Sequence, residues 1–555
     1  MLDWAKKGFE GTGMNYLNYA LEKRYQPLTI AGVVALLCLV LYPLLPAWDV
    51  EIGALFLIAM ACVITGIHDM IQTRHAILRN YPLLGHMRFL FEMIRPELRQ
   101  YFFEADTDGR PFPRERRAIV YQRAKGQLDK RPFGTQSDVY SAGFEWMLHS
   151  VMPTPVAHEL FRVTIGGPAC TQPYNASIFN ISAMSYGALS ANAIRALNKG
   201  AKMGGFAHDT GEGSVSPYHR EAGGDLIWEI GSGYFGCRNP DGTFSPGNFT
   251  KTAADPQIKM IEIKLSQGAK PGHGGVLPGA KVTAEIAEIR GVEQGVDCIS
   301  PASHSAFSTP MGLIQFIEQL RKLSHGKPVG FKLCIGHRTE FLAIVKAMVE
   351  SRIMPDFIVI DGKEGGTGAA PAEFIDNLGM PMRDGLAFVN SALIGAGLRE
   401  HIKLGCAGKI ITGFDMARAF ALGADWCNAA RGFMFAVGCI QSQSCHTDMC
   451  PVGVATQDPH RQRALVPADK AQRVKQFHNK TMEALGEVVE SAGINHPQEF
   501  ELFHFHKRIN HSQVTTFTHL YPALAKGELL TGTYDVRFKI PWEIARADSF
   551  AAATN

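Results

Sequence analysis

The sequence lacks the charge excess and the repetitive tracts that mark several large classes of protein. Its 55 lysines and arginines nearly balance its 52 aspartates and glutamates, so the net charge of +3 is too small to suggest nucleic-acid binding. No low-complexity segment or internal repeat stands out. No small-residue cleavage site follows the first apolar run, which argues against a signal peptide. With 46% hydrophobic residues over 555 positions, we expect an ordered chain with a sizeable core and no nucleic-acid partner.

A disulfide framework is not expected either, because eight of the eleven cysteines are scattered along a long chain. The other three, Cys439, Cys445 and Cys450, lie in CIQSQSCHTDMCPVGVATQ with the spacing C-x5-C-x4-C. Clusters are commonly held by four cysteines, so three in one loop predict an iron–sulfur cluster with three protein thiolates. The alternatives are buried free cysteines and a zinc site, which would need a fourth ligand. A cluster indicates a redox protein in a reducing compartment.

Two apolar runs near the amino terminus predict a transmembrane hairpin. Residues 28–48 reach the length of about twenty residues that a bilayer core requires. Residues 52–67 are fewer, but they can span if the bilayer thins. The turn between the runs is acidic, and basic residues flank the pair at Lys6, Lys7, Lys23, Arg24, Arg74, Arg79 and Arg88. The positive-inside rule then places both flanks, and the catalytic domain, in the cytoplasm. The alternative is a buried helical hairpin in a soluble core.

The expected organisation has five parts. They are a cytosolic segment 1–25, the hairpin 26–70, a basic and partly helical connector 71–169, a barrel with the cysteine-rich loop 170–457, and a C-terminal helical extension 458–555.

After Pro168, short apolar runs alternate with amphipathic stretches. The predicted strands begin at Phe179, Gly204, Ile261, Val296, Pro328, Asp356, Lys409 and Asp425. Eight β/α units over roughly 260 residues match a TIM (β/α)8 barrel, so the predicted fold class is α/β. A doubly wound sheet is the competing interpretation. That fold normally carries a dinucleotide fingerprint, and we predict no dinucleotide site in this chain.

Glycine and polar residues gather where the barrel strands would end, which is where barrels carry their chemistry. The loops read SAMSYGALS, DTGEGS, SQGAKPGHGG, DGKEGGTGAAP, TGFDMA and AARGF. The last two occupy the place where barrels commonly bind phosphate. Gly413 and Gly432 would allow close backbone approach there, and Arg431 would pair with the phosphate. Together the loops favour a phosphorylated cofactor such as FMN.

The same stretches carry a family resemblance. The first four loops named above and the cysteine-rich segment resemble, in the same order, the FMN-binding synthase domain of glutamate synthase over residues 178–457. The resemblance implies FMN, a 3Fe-4S cluster on the three cysteines, and an oxidoreductase acting on CH-NH2 groups. The implied reaction reduces 2-iminoglutarate, formed from 2-oxoglutarate and ammonia, to glutamate.

The resemblance also implies roles for single residues. Lys264, Gln267 and Lys270 would lie beside the flavin and 2-oxoglutarate, where a lysine stabilises negative charge. Arg290 would bind the substrate carboxylate, and Glu212 would relay protons to the imine. For each residue the alternative is a surface or helix-capping role. The other expected cofactor-binding residues are Met184, Ser185, Gly187, Lys332, Gly365, Gly366, Gly413, Arg431 and Gly432.

The chain departs from the family pattern in four places. It begins MLDWAKKGF where the family has a cysteine-nucleophile amidotransferase domain, and the stretch after Gln457 is too short for the family's β-helical domain. PGEGG reads PGHGG, with His273, and a proline- and histidine-rich loop reads SPASHSAFS at 300–308. We therefore expect no glutamine hydrolysis by this chain alone, a separate glutaminase partner, and an electron donor such as a ferredoxin or a reductase.

The sequence leaves two alternative functions open. One is an FMN and iron–sulfur enzyme of the same fold that acts on another amine or amino acid. The other is a non-catalytic electron-transfer subunit of the membrane, for which the dicarboxylate-binding residues Lys264, Lys270 and Arg290 would have no use.

Overall fold

The computed structural model describes residues 22–73, 75–157 and 161–551. These residues form two compact units, one ending at Arg114 and the other starting at Glu115. Most of the predicted cytosolic segment 1–25, with Lys6 and Lys7, lies outside the described residues, as does Arg74.

The first unit contains two apolar helices of unequal length. Helix Gln26–Leu41 ends shortly before two prolines, which cannot continue it. Helix Asp49–Ile71 joins the 3₁₀ turn Pro46–Trp48 in an apolar run of 26 residues, within which an 18-residue stretch has a mean hydropathy of 2.3. That run is about 39 Å long and the first helix only about 24 Å, against a hydrocarbon core of about 30 Å. By length and composition, one described helix suffices to cross a membrane, and the predicted hairpin of two spans is not confirmed.

The apolar helices contact each other where Gly66 meets Leu28, since a Cβ atom at Gly66 would lie 2.6 Å from the Leu28 side chain. The unit continues with helices Ala76–Asn80 and Leu84–Leu98 and the π-helical turn Arg99–Phe103. The buried Asp69 carboxylate lies 2.9 Å from His86 Nε2. This contact fixes the start of helix Leu84–Leu98 against the end of the long apolar helix.

The second unit is built on a closed barrel of eight parallel strands, which confirms the predicted fold class. The strands are β1 Phe179–Ile181, β2 His208–Asp209, β3 Leu226–Ile230, β4 Ile258–Lys264, β5 Val329–Leu333, β6 Phe357–Asp361, β7 Lys403–Ala407 and β8 Trp426–Ala429. Each strand pairs with the next along the chain, and β8 pairs with β1 to close the barrel.

Helices connect and cover the strands. In chain order, the α-helices of this unit are Arg114–Ala124, which begins at the unit boundary, Ala191–Gly204, Pro217–Arg220, Pro246–Ala253, Ala284–Arg290, Pro310–Leu323, Arg338–Ser351, Ala372–Asn377, Met382–Gly395, Gly413–Ala421, Arg431–Ala436, Pro459–Gln462, Pro467–Ala492, Phe517–Leu520, Glu528–Thr531 and Lys539–Ile544. The 3₁₀ turns are Gly279–Lys281, Pro497–Glu499 and Leu502–His504. The long helix Pro467–Ala492 packs against Ala191–Gly204 and Gly413–Ala421.

Three small antiparallel sheets lie outside the barrel. They are Glu145–Met147 with Phe505–Arg508 and Val514–Thr516, Arg162–Ile165 with Tyr174–Ser177, and Val276–Leu277 with Cys298–Ile299.

Six of the eight predicted strand segments contain or overlap a barrel strand, and two were wrong. The segment from Val296 forms Cys298–Ile299, which pairs with the connection after β4 and not with the barrel. The segment from Lys409 is not a strand, because the N–H groups of Ile411 and Thr412 donate to the Asp415 carboxylate, each at 3.0 Å. These residues therefore cap helix Gly413–Ala421. The strands missed were β3 and β7.

The run GSGYFG at 231–236 has the spacing of a dinucleotide fingerprint, which the prediction of no dinucleotide site overlooked. It follows β3 but opens no helix, since the next helix begins at Pro246. Tyr234 and Phe235 within it are buried. The fingerprint needs a helix amino terminus for the pyrophosphate, so the run is a buried turn of the barrel.

Candidate active site

Four basic and acidic residues converge beyond the carboxyl ends of β2 and β4. The Lys264 ammonium, at the end of β4, lies 3.1 Å from Glu212 Oε2. Burial alone would raise the pKa of Glu212, but Lys264, Arg290 and Lys270 lower it below its usual value. Glu212 is therefore ionised at neutral pH. Three cations against one carboxylate leave a net positive charge, which suits an anionic ligand.

Lys270, another cation of this group, is 2% exposed. Burial, which is the largest cause, and the Lys264 charge together lower the pKa of Lys270 to about 8, although Glu212 opposes them. An amine with this pKa is mostly charged at neutral pH and can still lose its proton in a slightly basic medium.

Arg290 is the last residue of helix Ala284–Arg290 and is 4% exposed. Its Nη2 donates to the Tyr186 carbonyl at 3.0 Å and to Ser185 Oγ at 3.3 Å. Its guanidinium lies over the Phe235 ring, 5.2 Å from the centroid. A Cβ atom at Gly187 would come within 3.2 Å of Arg290 Nη2, and φ there is +103°. The loop after β1 therefore positions the arginine.

Two glycine-containing loops interlock beside these cations. We call residues 264–270 the lysine loop and residues 361–368 the glycine loop. Gly268 N–H donates to Asp361 Oδ2 at 2.9 Å, and a Cβ at Gly268 would lie 1.7 Å from the Gly362 carbonyl oxygen. A Cβ at Gly365 would lie 3.0 Å from Ala269 N. The positions of Gln267 and Lys270 therefore depend on the backbone of the glycine loop.

Lys332 lies in β5, in register with Lys264 of β4. Its ammonium contacts Glu229 and lies 3.2 Å from Glu262 Oε1. Burial alone would lower the pKa of Lys332, but these carboxylates raise it well above its usual value. Burial raises the pKa of Glu262 to about 7, although Lys332 opposes the shift. A buried charge network thus lies inside the barrel.

The acidic members of this network, Asp209, Glu229 and Glu262, were missed by the sequence analysis. Their carboxylate oxygens lie within 4.8 Å of one another, and the Lys332 ammonium supplies the compensating charge. The available signal was a glutamate inside the buried strands LIWEI and IKMIEIK, since a fully buried charged residue is rare unless it is paired.

Arg431, at the start of the helix after β8, contacts the glycine loop. Its Nη2 donates to the Glu364 carbonyl, and a Cβ at Gly366 would lie 2.9 Å from Arg431 Nη1. Burial lowers the pKa of Arg431 to about 10, which leaves it charged at neutral pH.

Gly413 and Gly432 lie beneath the long helix. A Cβ at Gly413 would lie 2.6 Å from Leu485 N, and one at Gly432 would lie 3.3 Å from Phe477. Packing of helix Pro467–Ala492 explains both glycines without a phosphate, and their predicted part in phosphate binding stays a prediction.

The cysteine loop, residues 439–457, turns repeatedly, with positive φ at Gln441, Gln443 and Asp448. Cys450 is buried, Cys439 and Cys445 are half-buried, and none of the three forms a disulfide. Burial raises the pKa of Cys439 to about 12, and the other two thiols add to the effect. Three thiols of one loop that interact electrostatically are a donor set that fits a metal cluster, whose charge would hold them as thiolates.

The cysteine loop is hydrogen-bonded to the loop after β1, residues 182–190, which we call the first loop. Gln457 Nε2 donates to the carbonyls of Gly187 at 3.0 Å and Leu189 at 2.9 Å. Ser190 Oγ donates to the Gly453 carbonyl at 2.7 Å. The cysteines therefore lie beside the loop that holds Met184, Ser185 and Gly187.

The two histidines at the positions that depart from the family pattern differ in burial. His304 is 8% exposed, and its Nε2 lies 2.9 Å from the Lys264 carbonyl. Burial lowers the pKa of His304 to about 4, so the ring is neutral. His273 is half-buried, and its ring meets the Phe374 ring edge-on at 5.4 Å. His304 thus supports Lys264, whereas His273 packs against the helix after the glycine loop.

The cationic site lies at the carboxyl ends of the strands of a closed α/β barrel, which is where barrel enzymes carry their active sites. The family model described as the conserved region in glutamate synthase matches residues 170–495. The glutamate synthase large subunit-like protein YerD of Bacillus subtilis is 39% identical over 479 residues, 79% of this chain and 91% of that protein. The archaeal glutamate synthase [NADPH] of Methanocaldococcus jannaschii is 37% identical over 316 residues, 57% of this chain and 59% of that protein.

The chain belongs to the glutamate synthase family, a family of oxidoreductases. Among solved structures, a mutant flavocytochrome b2 with benzoylformate has a TM-score of 0.41 at 12% identity, covering 75% of this chain and 91% of that one. Mandelate oxidase with (S)-2-phenylpropionate has a TM-score of 0.38 at 14% identity, covering 72% and 97%. Scores this low carry no conclusion about function.

Proposed function

We propose that this protein reduces the imine formed from 2-oxoglutarate and ammonia to glutamate, with FMN and a 3Fe-4S cluster. The observation that carries the proposal is the group of Lys264, Lys270 and Arg290 around the single carboxylate of Glu212. Two unbalanced positive charges match the two carboxylates of 2-oxoglutarate. Arg290 presents the planar donor geometry that suits a carboxylate.

Each charged residue of this site has a separate role in the proposed reaction. Arg290 is held by the first loop and orients a carboxylate, while Lys270 supplies a second positive charge at the same face. Glu212, ionised and 3.1 Å from the Lys264 ammonium, can accept or return a proton at the reacting nitrogen through that lysine. Burial of the site strengthens each of these charge interactions.

FMN would be held by Met184, Ser185 and Gly187 on one side and by Gln267 on another. The other proposed contacts are Lys332, Gly365, Gly366, Gly413, Arg431 and Gly432. When bound, FMN supplies the hydride, and the cluster supplies single electrons. Arg431, buried and charged beside the glycine loop, is the candidate partner of the flavin phosphate.

Cys439, Cys445 and Cys450 would hold the cluster. Replacing Cys445 by serine should abolish the electron paramagnetic resonance signal of the oxidised cluster while flavin remains bound. Cys170→Ser, a half-buried cysteine far along the chain from the loop, is the matched control and should keep the signal. A Cys445→Ser protein with an unchanged signal would contradict the ligand assignment.

We further propose that electrons and ammonia come from partner proteins, an electron donor such as a ferredoxin or a reductase and a separate glutaminase. The apolar run Pro46–Ile71 would anchor the enzyme to the membrane with its catalytic unit in the cytoplasm, and helix Gln26–Leu41 would enter the same bilayer. Leu57, 69% exposed, and Leu36, 66% exposed, would then contact lipid. Membranes washed with alkaline carbonate should retain the protein; release without detergent would overturn the anchor.

The reaction itself is tested by anaerobic titration of the photoreduced protein. We expect 2-oxoglutarate to perturb the flavin absorbance and added ammonia to reoxidise the flavin, with one glutamate formed per flavin. If 2-oxoglutarate leaves the spectrum unchanged and ammonia causes no reoxidation, the proposed reaction is wrong.

The second candidate is a related FMN enzyme that acts on another amine or amino acid. His273 and the buried His304 favour it, because both lie where the family pattern differs and His304 contacts Lys264. A panel of 2-oxo acids in the same titration separates the two candidates: a stronger response to an acid other than 2-oxoglutarate would support the second.

A further inference from the structure

We propose that Lys281 is a positioning residue that joins the cysteine loop to the first loop, and that its charge makes the cluster easier to reduce. The inference rests on the proposed function, because it assumes a cluster on the three cysteines. It adds a residue to which neither the motifs nor the family resemblance gave a role.

Lys281 ends the 3₁₀ turn Gly279–Lys281 in the long connection after β4. Its ammonium donates to the Ala455 carbonyl at 2.9 Å, within the cysteine loop, and to the Ala188 carbonyl at 3.2 Å, within the first loop. One side chain therefore bridges the two loops. Gln457 and Ser190 bridge the same loops without carrying a charge.

The charge of Lys281 is unusually placed. The residue is 2% exposed, and among the residues that the structure describes the hydrogen-bond partners of its ammonium are the carbonyls of Ala188 and Ala455. A buried ammonium held only by neutral carbonyls is costly unless negative charge lies nearby. Burial lowers the pKa of Lys281, and Asp448, Cys445 and Cys450 oppose that shift. A cluster held by three thiolates would add its negative charge to that of Asp448.

The physical consequence concerns reduction of the cluster. Adding one electron makes a thiolate-bound cluster more negative, and a buried positive charge nearby stabilises that extra charge. Removing the charge should therefore lower the reduction potential. We expect the equilibrium constant for one-electron reduction to fall about tenfold, which corresponds to about 59 mV.

The test is a potentiometric titration of the holoenzyme, monitored by electron paramagnetic resonance. Lys281→Met should lower the midpoint potential of the cluster by the stated amount, and Lys281→Arg, which keeps the charge, should stay near the parent value. Gln457→Leu removes a bridge but no charge and should shift the potential much less. Lys322→Met, at an exposed position, is the control.

Each outcome decides a different point. A cluster-loaded Lys281→Met protein with the parent potential, or an equal shift in Gln457→Leu, would overturn the inference. If Lys281→Met purifies without a cluster, recovery of the cluster in Lys281→Arg supports the role of the charge, and its absence there refutes it. If the parent protein itself shows no cluster signal, the proposed function fails instead.

Discussion

Arg290 offers the most direct test of the proposed substrate site. Its guanidinium is nearly fully buried and carries the planar donor pattern that binds a carboxylate through two parallel hydrogen bonds. A hydrogen bond to a charged group contributes about 1.5–3 kcal/mol, so loss of such a pair should cost about 3 kcal/mol of binding free energy. The dissociation constant of 2-oxoglutarate should then rise about 100-fold in Arg290→Ala, since about 1.4 kcal/mol corresponds to tenfold.

Arg290→Lys separates charge from geometry. A lysine keeps the positive charge but lacks the planar fork, so we expect about a tenfold loss of affinity. Both variants should be measured by spectral titration of the flavin with 2-oxoglutarate, alongside the flavin content of the purified protein. Arg546→Ala, at an exposed arginine, is the matched control and should bind as the parent does.

The refuting result is specific. Arg290 also supports the backbone of the first loop through Tyr186 and Ser185. If Arg290→Ala loses flavin and 2-oxoglutarate in equal proportion while Arg290→Lys restores both, the residue only supports the loop. The assignment to the substrate carboxylate would then be wrong.

Three further predictions concern charge and packing. Because the pKa of Lys270 is lowered to about 8, its positive charge is present below that pH and lost above it, so 2-oxoglutarate should bind more weakly as the pH rises through 8. Lys332→Met should lower the free energy of unfolding by about 3–5 kcal/mol, because Glu229 and Glu262 would keep their burial and lose their partner. Gly413→Ala should destabilise by about 1–3 kcal/mol, since its Cβ would meet the Leu485 backbone.

The controls for these predictions come from the same chain. Lys270→Met should bind weakly at every pH, and an unchanged pH dependence in that variant would assign the titration to another group. Adding Glu229→Gln to Lys332→Met should recover part of the stability in thermal unfolding; no recovery would contradict the pairing. Gly247→Ala, where a Cβ meets nothing within 4 Å inside a helix, should be neutral or stabilising by up to about 1 kcal/mol. An equal loss in both glycine variants would refute the packing argument.

Strands were predicted correctly where the sequence is rich in large apolar residues, and incorrectly where tertiary contacts determined the secondary structure. DFIVIDG and PVGFKLC are runs of buried residues that form β6 and β5. KLGCA, which forms β7, has a single large aliphatic residue, Leu404, whereas KIITG has high β propensity but serves as a capping turn held by Asp415. Propensity is a weak guide when a side-chain cap takes the backbone N–H groups.

Long local motifs determined the family, and with it the expected cofactors and the expected cations of the site. This is possible because the residues of each motif lie within one short segment. The spacing of the three cysteines of 439–450 and of the lysines of 264–270 is therefore visible without knowledge of the fold. The apolar run near the amino terminus was likewise recognisable in the sequence, although the bounds of its helix were not.

Only the tertiary structure decided which distant residues meet. The pairing of Glu229 and Glu262 with Lys332, the contact of Gly413 with the long helix and the bridge from Lys281 to Ala455 join positions far apart in the chain. Whether a charge is buried, or whether a glycine leaves no room for a Cβ, depends on the residues that pack against it. The barrel fold brings those residues there, and they are not neighbours in the sequence. The sequence motifs thus indicated which cofactors and reaction to expect, and the fold determined which charged residues are paired and buried.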